Sequence, residues 1–157
     1  MPSDVRLVAA ADVAWVDRAP AWAASTARAA VVVMSWPDLV VVEHHVIETA
    51  ATFPYVPGLL SFREIPALAL ALEKVESRSD LLLVDGHGVA HPRRFGLAAH
   101  LGLLAGIPTI GCAKSRLCGA APEPAAERGS LSELRDGGET IGMGVRTKDG
   151  VKPLYVS

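Results

Sequence analysis

Residues 29–36 (AAVVVMSW) and 40–47 (VVVEHHVI) are two apolar runs of strand length with almost nothing between them. Only the turn around Pro37 and Asp38, two turn-forming residues, separates them. A connection this short joins antiparallel strands, because parallel neighbours need a crossover of a dozen residues or more. A third run, residues 5–16 (VRLVAAADVAWV), is apolar almost throughout and reads as a strand buried on both faces. A longer break after Asp17 makes it antiparallel to the second run as well. The chain therefore opens with three antiparallel strands.

Beyond the third strand the rhythm changes. Residues 52–66 (TFPYVPGLLSFREIP) contain Pro54, Pro57, Gly58 and Pro66 and read as a loop, unusually apolar and for that reason a functional candidate. Pro66 suits the first turn of a helix that runs through ALALALEKVESR to near Ser79. A short strand covers 80–85, a helix covers 95–105 and stops at Gly106, and another buried strand covers 107–113. Residues 119–138 read as a surface excursion. ETIGMGVRT and VKPLYVS close the chain as a hairpin turned at Asp149-Gly150. Antiparallel strands first and βαβ units after define an α/β chain with a mixed sheet and helices on its faces, expected to form one domain over 1–157.

With 157 residues, half of them apolar, the chain can bury a core without disulfides or a metal staple. A net charge of −2 gives no general attraction to nucleic acid, so any anion-binding surface must be local. Cys112 and Cys118 are spaced as neither a zinc nor a redox motif and read as reduced thiols. Asp4 and Asp12 spoil the amino-terminal stretch as a signal peptide, and Leu97 to Ala113 is too short and interrupted to span a membrane. The expectation is a soluble, cytoplasmic protein with no membrane partner.

The chemistry concentrates where apolar strands meet acids. Asp12 interrupts the first strand, where an unpaired charge demands a partner or a metal. Asp85 ends the run LLLV, at the carboxyl end of a strand, where open α/β sheets place their sites. Gly86 and Gly88 then allow close approach of backbone to a ligand. If these two strands are neighbours, the aspartates face one another and repel unless a cation lies between them. Oxygen ligands point to Mg²⁺ or Mn²⁺. Glu64 supplies a third carboxylate and Lys114, just past the 107–113 strand, a cation beside the same site. Three acids and a lysine are the pattern for metal-assisted phosphodiester cleavage. Two rivals are weaker. A zinc site built on His87 and His91 with the His44-His45 pair is opposed by Gly86 and Gly88, which argue against a helix that would align His87 with His91, and G-x-G at 86–88 lacks the rest of a dinucleotide fingerprint.

PYVPGLLSFREIPAL, LLLVDGHGVAHPRRFGLAAHLGLLAGIPTIGCAKSRLCG and GVRTKDGVKPLYVS closely resemble endonuclease V, a repair nuclease for deaminated bases. ADVAW at 11–15 is similar to the family's first-strand motif. The resemblance covers most of residues 50–157 in the family's order. It implies a ribonuclease H-like fold and a Mg²⁺-dependent enzyme, with Mn²⁺ as a substitute. The implied reaction nicks DNA at the second phosphodiester bond 3′ to deoxyinosine, and some relatives prefer inosine-containing RNA. It further implies that Asp12 and Asp85 bind metal, that Glu64 completes the acidic site, and that Lys114 supports the phosphate or the attacking water. Tyr55 would be the wedge beside the lesion, a role that suits an aromatic side chain on a loop stiffened by two prolines. Gly58, Leu60, Gly86 and His91 would line the base pocket. Arg93, Arg94 and Arg116 would contact phosphates, which position the strand without specifying it.

The sequence departs from the family at both ends. The first strand begins within ten residues of the start, where relatives have a helical segment. After VKPLYVS relatives continue with a further metal-site residue and a helix that covers the sheet. A bared sheet face predicts poor solubility or an oligomer, and the missing residue predicts weak or absent activity. Two alternatives to the nuclease stay open. One is a binding module that recognises hypoxanthine or structured nucleic acid without cutting it. The other is a metal-dependent phosphohydrolase of small substrates.

Overall fold

The computed structural model describes residues 4–16 and 25–157. The break expected after Asp17 lies outside them. Strands β1 (Leu7–Trp15), β2 (Ser25–Ser35) and β3 (Val41–Ala51) come first. Helix α1 (Leu60–Leu72), strand β4 (Leu81–Val84), helix α2 (Leu97–Ala105) and strand β5 (Thr109–Ala113) come next. Strands β6 (Leu131–Asp136), β7 (Glu139–Val145) and β8 (Leu154–Val156) complete the chain. All eight strands form one sheet in the order β3-β2-β1-β4-β5-β8-β7-β6. The first three are antiparallel, β4 and β5 join them in parallel, and the last three return antiparallel.

Alternation along the strands sends one side chain in two to the core. Ala9 and Ala11 of β1, Val31 and Val33 of β2, and Leu82 and Val84 of β4 pack with Ile65, Leu68 and Ala71 of α1 and Leu97 and Leu101 of α2. Because residues of one parity meet both helices, α1 and α2 lie on the same face, not on opposite faces as the strand order suggests. Leu68, Leu82 and Leu101 are fully buried, and truncating any one to alanine would cost about 2–5 kcal/mol. The opposite face presents Ala10, Ala30, Val32, Leu83 and Leu154, which line an open hollow of about 390 Å³. Small and β-branched residues give this face little bulk.

Three further expectations are corrected. Helix α1 starts at Leu60 and ends at Leu72, so Pro66 sits inside it and Glu64 lies on a helix, not in a loop. The buried positions Ser61, Glu64, Ile65, Leu68 and Ala71 form one helical stripe, and burying that stripe outweighs the resistance of proline and of the residue before it. Residues 119–138 are not all surface excursion: β6 lies within them, paired to β7 through Gly137-Gly138. Both glycines have positive φ, 57° and 86°, as a two-residue type I′ hairpin requires. The β7–β8 hairpin exists, but eight residues connect Val145 to Leu154, so Asp149-Gly150 is not a two-residue turn.

Candidate active site

The carboxyl ends of β1, β4 and β5 share one edge of the sheet with the amino-terminal ends of both helices. Parallel pairing sets Ala11 opposite Val84, so Asp12 and Asp85, the next residue on each strand, emerge side by side. The Asp85 amide continues the ladder by donating to the Ala11 carbonyl at 3.2 Å. Asp12 is exposed, not buried as its apolar run suggests, and its Oδ1 accepts the Val13 amide at 2.8 Å. Exposure at the strand end removes the desolvation cost that a mid-strand charge would carry.

Glu64 is held against this pair by the buried stripe of α1 and is itself buried. Its pKa is pushed up to about 7, first by burial and then by the charges of Asp12 and Asp85, with Arg63 acting in the opposite direction. The Arg63 guanidinium is anchored on the Phe53 carbonyl (2.8 Å), on Ser25 Oγ and over the Trp15 ring, 4.3 Å from its centroid. It therefore fixes the start of α1 to the ends of β1 and β3. Lys114, one residue past β5, forms an ion pair with Asp85, and that carboxylate raises the lysine's pKa.

The donor chemistry suits a hard divalent cation: carboxylate oxygens on adjacent strands, and a third carboxyl whose ionisation is opposed by the other two. At present Lys114 supplies the positive charge at Asp85. Among the described residues no group of three or more His, Cys, Asp or Glu side chains is disposed to hold a metal ion. His91 Nδ1 accepts the Arg93 amide at 3.2 Å, and burial, then the Arg93 charge, lowers its pKa. Burial, then His91, lowers that of His87. Both shifts favour the neutral ring, and both rings stand on the loop after β4.

The remaining residues expected at the site divide into two groups. Tyr55 is half exposed on the loop before α1, and Leu60 opens the helix. Gly58 adopts φ +79°, a left-handed conformation that favours glycine, and its carbonyl accepts Arg93 Nη1 at 3.0 Å. Arg93 thus ties the Tyr55 loop to the loop that begins at Asp85. Arg94 is engaged elsewhere: it donates to Asp136 (3.1 Å) and Glu139 (2.8 Å) across to the β6–β7 hairpin.

Gly86 and Gly88 owe their lack of a side chain to protein packing. A Cβ at Gly86 would press on Leu97, and one at Gly88 would meet the Ser157 carbonyl oxygen at 2.6 Å. Arg116 lies in a hollow of about 470 Å³ with Lys114, Ser115, Lys152 and Tyr155. Sequence reading missed Lys152, because only the pairing of Ala113 with Tyr155 brings it there.

An acid pair at the ends of adjacent parallel strands, with a glutamate delivered by the first helix, defines a ribonuclease H-like protein with an acidic site. The endonuclease V family model matches residues 1–157, and the chain belongs to that family. It is 55% identical over 152 residues to endonuclease V of Alkalilimnicola ehrlichii, covering 97% of this chain and 65% of that protein. Endonuclease V of Streptomyces avermitilis superposes with a TM-score of 0.86 at 44% identity, over 98% of this chain and 65% of the other. Endonuclease V of Ciona intestinalis, solved with a 24mer DNA containing an inosine followed by a ribo-adenosine, superposes with a TM-score of 0.79 at 26% identity, over 99% and 72%. The chain thus spans about two thirds of the length of these relatives.

Proposed function

We propose that the chain is a Mg²⁺-dependent endonuclease acting on deaminated bases, chiefly deoxyinosine in DNA and also inosine in RNA, and that it cuts the second phosphodiester bond 3′ to the lesion. The observation that carries the reading is the meeting of Asp12 and Asp85 on adjacent parallel strands beside a glutamate whose pKa is pushed up to about 7. Family membership and the inosine-containing DNA held by the Ciona relative support the substrate.

In this reading Asp12 and Asp85 hold the ion, and Mn²⁺ can replace Mg²⁺. The bound ion supplies positive charge at the scissile phosphate and acidifies water there. Glu64 completes the acidic site. Lys114 moves from Asp85 to the phosphate or the attacking water once that carboxylate has another cation. Tyr55 fills the gap left when the damaged base leaves the stack. Gly58, Leu60, Gly86 and His91 form the wall that receives the base. Arg93 and Arg116 hold phosphates, and Lys152 joins Arg116 in the hollow beside Lys114.

A labelled duplex with one deoxyinosine tests this directly. The expected result is a nick two bonds 3′ to the lesion with Mg²⁺, none with EDTA, and none from Asp85→Ala. A second reading rests on the Lys114–Asp85 ion pair and the lack, among the described residues, of a ready three-ligand cluster. On that reading the chain binds inosine-containing strands without cutting them. Tight binding by folded protein with no metal-dependent nick would establish it in place of the first. Turnover of mononucleotides would instead favour a small-substrate phosphohydrolase.

A further inference from the structure

The chain has three phenylalanines, and all three stand in one row. Ring centroids are 5.8 Å apart between Phe53 and Phe62, 5.6 Å between Phe62 and His100, and 5.0 Å between His100 and Phe95. Aromatic rings are the largest apolar payload a core can take. Yet among the described residues the largest fully buried side chains are all Leu, Ile and Val, while Phe62 is 50% and Phe95 40% exposed. The row lies on the edge that carries the acidic site. Phe53 lies just past the end of β3, Phe62 is in the first turn of α1, Phe95 lies two residues before α2 and His100 is in its first turn.

The surroundings favour one occupant. Arg93, two residues before Phe95, is exposed, makes no ion pair among the described residues, and uses one N–H on the Gly58 carbonyl. Its other donors face no protein partner among those residues. Tyr55, also half exposed, is on the loop that Arg93 anchors. Exposed aromatic faces bordered by an unpaired guanidinium are what a nucleic-acid strand with unstacked bases requires: π-surfaces for the bases and a cation for the phosphates between them.

Resting on the nuclease reading, we propose that Phe53, Phe62, His100 and Phe95 form a stacking surface for the unpaired bases flanking the extruded nucleotide. Drawing a base out of a duplex breaks the stacking of its neighbours. A ready aromatic row beside the wedge loop replaces that stacking and lowers the free energy of the opened state. It accepts any base sequence, because every base has a π-face.

The test uses fluorescein-labelled oligonucleotides containing inosine, as single strands and as duplexes, titrated in EDTA with the wild-type chain and with Phe62→Leu and Phe95→Leu. Leucine keeps apolar bulk and removes the ring. Each substitution is expected to weaken binding on the order of tenfold. The slope of log affinity against log salt should not change, because no phosphate contact is lost. A 2-aminopurine beside the inosine should be quenched by the wild type and recover its emission in the variants. Wild-type affinity in both variants overturns the stacking surface while leaving the nuclease reading intact. So does a lost affinity that comes with a shallower salt slope, or a wild-type dimer that dissociates on Phe62→Leu. Failure of the wild type to bind any inosine-containing oligonucleotide overturns both.

Discussion

A carboxyl that is buried beside two other carboxyls resists ionisation in the folded chain and not in the unfolded one. Glu64 is that carboxyl, with a pKa near 7 against an ordinary 4.5. Folding therefore takes up a proton between those values. The stability this gives is complete below about pH 4.5 and is lost as pH rises through about 7. Glu64→Gln, which cannot ionise, should be more stable than the wild type at pH 8 by up to about 3 kcal/mol, and no more stable at about pH 4. Urea unfolding at the two pH values measures the gap, and a gap independent of pH would disprove the account. Mg²⁺ should narrow it at pH 8 by stabilising the ionised wild type. The same residue marks how far the site could be read in advance. Asp85 was legible because a carboxylate ends an apolar strand, and Asp12 because it interrupts one. Glu64 was legible as an acid but not as a helical one. The purpose of Gly86 and Gly88 was hidden, because Leu97 and Ser157, whose approach excludes a side chain, arrive only in the fold.

Elements were legible in proportion to how far local pattern agreed with tertiary demand. Helix α2 ends at Gly106, φ 65°, as its sequence says it should. Helix α1 runs through Pro66 because Ile65, Leu68 and Ala71 are buried together. The proline removes one intrahelical hydrogen bond and crowds the preceding turn. Pro66 is exposed, so no packing opposes its replacement. Pro66→Ala should raise unfolding free energy by about 2 kcal/mol, the helix gain being partly offset by a more flexible unfolded chain. A lower thermal midpoint would mean that the proline itself is needed, to aim Glu64 or Phe62. Strand β6 escaped notice for the opposite reason. Its inward positions are Ser132 and Leu134, so the alternation that betrays a strand is half polar. The Gly137-Gly138 pair was the available signal for it.

At the scale of the molecule, the described residues form one sheet but two cores of unequal size. Sixteen buried residues join β1, β2, β4 and the helices, whereas Ala90, Leu134 and Ile141 alone make the buried centre under the β6–β8 meander. The seam between the two parts is short: Cys112 pairs with Val156, Ala113 with Tyr155, and Gly111 exchanges two backbone hydrogen bonds with Ser157 (2.7 and 3.0 Å). Arg94 adds ion pairs from the Asp85 loop to Asp136 and Glu139, solvent-screened and so individually weak. Regions with few buried contacts open at lower free energy than the global transition. Native-state hydrogen exchange should therefore show β7 amides exchanging through an opening well below global unfolding, while β1, β2 and β4 amides exchange only with it. Added salt should lower the meander's opening energy further by screening Arg94. Equal protection across both parts would mean the seam is as strong as the main core. The unequal division also bears on function. Asp12, Asp85 and Glu64 stand on the deeper core, and Lys152 and Tyr155 reach the hollow beside Lys114 from the shallower one. A transient opening of the meander would withdraw Lys152 from the hollow beside Lys114 while leaving the acidic residues in place.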